Sequence, residues 1–225
     1  MRFHNISHNR LLPWLLAGLV TVLAFLLYFL TMAPGLTWAH QGADGGDFAT
    51  AVALGGVPHP PGFPTYVLLG KIFSFFLPFG DIAFRLNIMS AFFGSLTVGL
   101  VFLLTRTVLI ISWGNPPHFE AIRLAASFLA AATLACGPLL WSQSVIAEVY
   151  TLNSALFALI TLLGLRWWMQ FCGSSQAVAQ RKNRELFLAA LLVGLGLGNH
   201  PTLAVLLIVG VPLLLTTRIL ILKDW

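Results

Sequence analysis

Two of the seven acidic residues in this 225-residue chain stand three apart, in Asp44-Gly45-Gly46-Asp47-Phe48. If a helix begins here, that spacing puts both carboxylates on one face. Either residue can cap the helix start. The alternative is acid–base chemistry, because two close carboxylates push their pKa values apart. One then accepts the proton of an attacking hydroxyl, and the other orients it or holds a divalent metal ion.

A second group follows in His59-Pro60-Pro61-Gly62-Phe63-Pro64. Its prolines fix the backbone and Gly62 permits a tight turn. The segment is either a rigid corner or a mount that presents His59 to a phosphate or sugar. Further on, Glu148, Tyr150 and Asn153 lie within Ala147-Glu148-Val149-Tyr150-Thr151-Leu152-Asn153, and Asn199 and His200 within Gly198-Asn199-His200-Pro201. A helical reading puts Glu148, Thr151 and Leu152 on one face, where Glu148 requires a polar partner, either Arg85 or a ligand. His200 either caps the turn it sits in or lines a cavity. Lys71, Arg85, His59 and His200 are the available cationic or hydrogen-bonding groups.

The elements that hold these residues follow from composition. The chain is 58% hydrophobic and 8% charged, with a mean hydropathy of +0.90. Soluble domains carry about 25% charged residues, so a water-facing fold, disorder, collagen and a disulfide scaffold are all excluded. The class is an all-α membrane protein. Apolar runs predict six spans over residues 11–32, 88–111, 124–140, 146–168, 186–198 and 202–222, in a single transmembrane domain covering 1–225. Between the first two lies a structured outer loop, 33–87, with short surface helices over 46–54 and 65–77. The first run exceeds the apolar stretch of a signal peptide, about 7–15 residues, and reads as an uncleaved anchor.

The net charge of +5 is a topology signal and not a nucleic-acid footprint. Arg2, Arg10, Arg106, Arg123, Arg166, Arg181, Lys182, Arg184, Arg218 and Lys223 fall on one side of this six-span arrangement, and only Lys71 and Arg85 on the other. Ten against two places both termini in the cytoplasm. The same topology brings Asp44, Asp47, His59, Glu148, Tyr150, Asn153, Asn199 and His200 to the outer face from separate loops, which predicts one outward-facing polar cavity. Cys136 and Cys172 fall near opposite faces, so no disulfide joins them. No phosphate-binding glycine loop and no paired-cysteine or HExxH metal motif is present.

The strings DGGDFATAVALGGVPHPPGFPTYVLLGKIF, RLNIMSAFFG, WSQSVIAEVYTLN and LGLGNHPT, in that order, resemble the N-terminal region of a membrane protein O-mannosyltransferase-like family. That family is similar to the multi-spanning GT-C glycosyltransferases, which use lipid-phosphate-linked sugars. The resemblance runs from about Met32 to Thr202. It implies a first-loop acidic residue as catalytic base. Related transferases show an Asp-Glu pair with an aromatic three residues after the Glu, and Asp44 and Phe48 stand four apart as that Asp and aromatic do. The resemblance therefore favours Asp44 as base, with Asp47 as its partner or a metal ligand. Asp47 is one methylene shorter than the Glu common at that position. The implied partners are a polyprenyl-phosphate sugar, a protein or glycan acceptor and membrane lipid, with no nucleic acid. The expected location is a bacterial inner membrane, or the endoplasmic reticulum in a eukaryote. The chain is expected to be the N-terminal part of a longer architecture. Two rivals are a transporter or lipid flippase, against which stands the lack of an inverted repeat, and a non-catalytic assembly subunit.

Overall fold

A computed structural model describes residues 11–172 and 184–212, and among these every regular element is helical. Three helices are long and apolar enough to cross a membrane: α1 (Leu12–Thr31), α4 (Ile82–Trp113) and α7, whose apolar stretch is Tyr150–Gln170 within Tyr150–Cys172. A fourth crossing arises if α5 (Glu120–Ala135) and α6 (Pro138–Ser144), bent by 60° where they meet, count as one broken span. The remaining helices are α2 (Gly45–Leu54), α3 (Pro64–Phe76), α8 (Arg184–Leu197) and α9 (Pro201–Pro212). The structure thus presents three or four candidate spans where the hydropathy reading has six. α8 is 14 residues long, short of the roughly 20 needed to span. The last expected span continues past the described residues, as do Arg2, Arg10, Arg181, Lys182, Arg218, Lys223 and the side chain of Cys172.

α4 is the hub, packing on α1, α5 and α7 along its length and on α2, α3 and α6 near its start. Asp81 starts it, its carboxylate accepting from the Phe84 amide at 2.7 Å. The helix therefore begins six residues before the expected 88, and Arg85 and Asn87 are helical and not in the loop. α1 turns Pro13, Ala17, Val20, Ala24 and Tyr28 inward and leaves Leu15, Leu19, Leu23, Leu26 and Leu30 exposed. Small residues inward and leucines outward is the pattern of a helix facing lipid, where close approach of backbones drives packing. Gly99 of α4 lies against Thr21, and Gly94 against Ser144, with no room for a side chain at either. Where α4 hands over to α5, Glu120 receives Arg106 on one carboxylate oxygen and Arg123 on the other, both at 2.7 Å. Arg123 is almost wholly buried and also donates to the carbonyls of Gly114 and Pro116.

Contacts at the helix ends set the directions. The Arg166 guanidinium of α7 lies 4.6 Å over the Trp14 ring, joining the end of α7 to the start of α1. At the opposite end, Trp141 Nε1 donates to Thr31 Oγ1 at 3.0 Å. Gly137 and Pro138 break the apolar run that the sequence reads as one span. After α6 the chain is non-helical over 145–149, so α7 starts at Tyr150. α1 ends, α4 and α7 begin, and α5 and α8 finish at one pole of the bundle, and the polar segments collect there.

Candidate active site

α2 begins directly after Asp44, and Asp47 lies in its first turn. Neither carboxylate caps the helix: no side-chain cap bond forms at Asp44, and Asp47 turns outward to His59. Asp47 Oδ2 accepts from the His59 main-chain N–H at 2.8 Å and faces His59 Nδ1 at 2.7 Å. On the other side of the ring, His59 Nε2 lies 3.7 Å from Asp44 Oδ2. The imidazole therefore sits between the two carboxylates. Bonding to Asp47 favours the tautomer with the proton on Nδ1, which directs Nε2 at Asp44.

The proline segment makes this possible. Gly62 (φ +90°) and Phe63 (φ +42°) adopt left-handed conformations, and the Gly62 amide donates to the His59 carbonyl at 2.9 Å. The chain after α2 doubles back and lays His59 over the start of the helix it has left. Buried Phe48 forms the floor, its ring 5.6 Å from His59, 5.3 Å from Phe63 and 4.9 Å from Tyr66. The two donors from His59, main-chain N–H first and ring second, hold the Asp47 carboxyl below the usual range.

Glu148 approaches from beneath. It belongs to the non-helical segment before α7 and not to a helical face with Thr151 and Leu152, though all three are buried. Non-helical backbone leaves main-chain groups unpaired, and side chains take them up. Asn199 Nδ2 donates to the Val149 carbonyl at 3.2 Å, and Ser90 Oγ bridges the Glu148 N–H and C=O at 3.3 and 3.4 Å. The Ala33 amide donates to the Val145 carbonyl at 2.9 Å, and Asn87 Nδ2 to the carbonyls of Ala33 and Gly35. These bonds stitch the first loop, α4 and the 145–149 segment into one unit. The Glu148 side chain is only 3% exposed. Burial first, and the Asp44 charge second, push its carboxyl up to about 7. The Tyr66 hydroxyl, fully buried and without a hydrogen-bond partner, is likewise pushed up by burial and then by Glu148.

His200 joins through aromatic rings: Phe63 lies 5.2 Å from His59 and 6.3 Å from His200, and Tyr150 is 5.7 Å from His200. His200 Nδ1 accepts from the Thr202 amide at 3.3 Å, so it does cap the following helical turn, and burial lowers its pKa. Asn153 Nδ2 reaches Thr202 Oγ1 at 3.1 Å. Thr65 at the head of α3 donates to the Gly198 and Leu195 carbonyls at 3.0 and 2.6 Å, locking the first loop to the last turn.

Two expected residues stand apart. Arg85 donates to the carbonyls of Ser74, Phe79 and Gly80, closing the α3–α4 turn, and makes no ion pair with Glu148. The Lys71 ammonium lies by Gly55 at the far end of α2, 2.8 Å from where a Cβ there would stand. That end is separated from Asp44 by a ten-residue helix, about 15 Å at 1.5 Å per residue. As for a metal, no group of three or more His, Cys, Asp or Glu is placed to hold one among the described residues. The donor set does not fit such an ion either, because Asp47 Oδ2 and His59 Nδ1 are hydrogen-bonded to each other. Sequence reasoning missed Ser90, Tyr66, Thr65 and Thr202. The only signal was Asn87 and Ser90 at i, i+3 in an apolar helix, a polar pair that a buried face must satisfy.

Among the described residues, a helical bundle with spans apolar enough for a membrane, and with carboxylates and an imidazole gathered at one pole, defines the class: a helical membrane protein. The chain belongs to the family described as Protein O-mannosyl-transferase TMEM260 N-terminal domain, whose model matches residues 44–222. It is 29% identical over 206 residues to "Protein O-mannosyl-transferase TMEM260" of Mus musculus, an overlap of 90% of this chain and 26% of the mouse protein. It is 28% identical over 189 residues to "Protein O-mannosyl-transferase tmem260" of Dictyostelium discoideum, covering 81% of this chain and 21% of that protein. The chain thus spans about a quarter of the length of these curated relatives. No solved structure matches it.

Proposed function

We propose that this chain carries the catalytic pole of a protein O-mannosyltransferase that takes its sugar from a polyprenyl-phosphate lipid and passes it to a protein hydroxyl. The observation that carries the reading is His59 set between Asp44 and Asp47 at one end of a membrane-type bundle. The acceptor oxygen attacks the anomeric carbon and its proton passes to Asp44. The bond from that carbon to the phosphate oxygen breaks, and the lipid phosphate leaves. Asp47 holds His59, and the Nε2 lone pair of His59 faces Asp44, ready to accept the proton that Asp44 takes up. The relatives' names supply the sugar and the acceptor class, and the lipid donor rests on the apolar helices around the site. The ten-to-two bias of basic residues supports a six-span arrangement with this pole outside. Lys71 and Arg85 have no place in this reading.

Asp44→Asn tests it by removing the proton acceptor at constant size. With radiolabelled polyprenyl-phosphate mannose and the full-length chain in nanodiscs, transfer should fall by roughly 10²–10⁴ with protein yield unchanged. Near-normal transfer would remove Asp44 from the mechanism.

A further inference from the structure

Beside the pole lies a cavity of about 700 Å³ between the end of α1, the α5–α6 bend and the short helix over Ala39–Asp44. His40, Gln41, Cys136, Trp141, Ser142 and Gln143 line it. We propose that this cavity seats the acceptor polypeptide next to Asp44, an assignment that rests on the transferase reading above.

The lining argues for a polypeptide and against the lipid phosphate. It contains no lysine or arginine to meet a phosphodiester. It offers instead the Gln41 amide, able to donate and accept, and the side-chain carbonyl of Gln143, which suit the alternating groups of a peptide backbone. The Gln41 amide makes no hydrogen bond among the described residues, and Trp38, 84% exposed, stands two residues before His40. A free amide and an exposed indole are the groups that grip peptide segments at low cost in side-chain freedom.

The backbone supplies an independent observation. His40 (φ +57°) and Gln41 (φ +64°) are consecutive left-handed residues, neither of them glycine. Such conformations persist only where the surroundings enforce them, and they concentrate at ligand sites. Here Gln143 Nε2 donates to the His40 carbonyl at 3.4 Å, and Gly42 is wedged against the Thr37 carbonyl, 2.6 Å from where a Cβ would stand. The distorted turn aims His40 and Gln41 into the cavity and delivers Asp44 three residues later. The donor side is then the cluster of His59, Phe63 and His200 in ring contact, which lies outside the lining of this cavity.

Cys136, an exposed thiol in the cavity wall, makes the assignment testable. The full-length chain with Cys172→Ser is placed in nanodiscs and treated with a bulky maleimide. It is assayed with polyprenyl-phosphate mannose, with and without a synthetic serine/threonine peptide. The expected result is a peptide KM raised at least tenfold, or peptide transfer lost, while donor hydrolysis in the absence of peptide is unchanged. Saturating peptide should also slow labelling of Cys136. Protein carrying Cys136→Ser as well, whatever its own rate, should show no response to the reagent. An unchanged peptide KM after complete labelling overturns the assignment. So does a parallel fall in donor hydrolysis, which would make the cavity part of the donor site. If untreated protein neither hydrolyses donor nor transfers to peptide, the transferase reading itself fails and this inference with it.

Discussion

Replacing Glu148 with glutamine should make the protein more stable at alkaline pH and leave it unchanged in acid. The carboxyl is 3% exposed and is raised from 4.5 to about 7. Burial is the main cause and the Asp44 charge the second, opposed by the Val149 N–H and by His59. In the unfolded chain the group ionises near its ordinary value. Between the two pKa values the folded protein therefore holds a proton that the unfolded chain has released, and stability falls as pH rises. A displacement from 4.5 to about 7 corresponds to roughly 3 kcal/mol, present in full above pH 7 and absent below pH 4.5. Glutamine mimics the protonated acid and carries no such penalty. Unfolding of the detergent-solubilised protein by SDS, followed by circular dichroism at pH 5, 6, 7 and 8, reads the effect. The difference between Glu148→Gln and the parent should grow from about 1 kcal/mol at pH 5 to roughly 3 kcal/mol at pH 8. Adding Asp44→Asn to the parent should end the decline at a lower pH and reduce its size, since one of the two raising causes is gone. Parallel pH curves for parent and Glu148→Gln, or a variant less stable at pH 8, would refute both the burial of this carboxyl and its proximity to Asp44.

Other perturbations separate the remaining roles. Asp47→Asn should reduce transfer by less than Asp44→Asn, and chelation with EDTA should leave transfer by the unmutated protein intact, because Asp47 serves His59; activity assays on both settle the point. Glu120→Ala strips the partner from the buried Arg123 guanidinium and should cost about 3–5 kcal/mol, read as a collapse of the monodisperse peak in fluorescence-detected size exclusion after heating. Gly94→Ala forces a methyl against Ser144 and should destabilise by about 1–3 kcal/mol without altering the peptide KM of whatever protein folds. Reporter fusions near Asp81 should read external and those within residues 173–184 cytoplasmic; an external signal from the latter would break the six-span topology.

What was legible in the sequence was what glycine and proline punctuate. α2 and α3 start within one residue of their expected positions because Gly55-Gly56 and Phe63-Pro64 leave few alternatives for ends and starts. The turn at 198–201 was equally plain. Long-range geometry was not. The bend between α5 and α6 hides within an apolar run, since hydropathy cannot distinguish a straight span from a broken one. Glu148 reads as helical because Tyr150-Thr151-Leu152 continues its periodicity, whereas the tertiary bonds from Ser90 and Asn199 hold that segment out of the helix. The pairing of Asp47 with His59 across twelve residues depends on a left-handed Phe63, a conformation no propensity assigns to phenylalanine. The same limit explains Arg85 and Lys71. Their charge nominated them for a phosphate, and only the fold reveals that they close a turn and the far end of a helix.

The choice between the two first-loop aspartates follows from what each already bears. Three carboxylates converge on this pole, and like charges so close oppose one another. Asp47 is relieved by two hydrogen bonds from His59. Glu148 is relieved by retaining its proton up to about pH 7 in a buried setting. The Asp44 carboxylate is half-exposed and makes no hydrogen bond among the described residues, with His59 Nε2 3.7 Å away. A general base needs a free lone pair within reach of an incoming hydroxyl. Asp47 presents its bonded oxygen to His59, and Glu148 is sealed beneath the loop, so neither can meet a bulky acceptor. Asp44 sits where the Ala39–Asp44 turn ends and α2 begins, with its carboxylate half-exposed. The neighbouring acids thus make Asp44 the available base: one is engaged by an imidazole, and the other is kept neutral by burial.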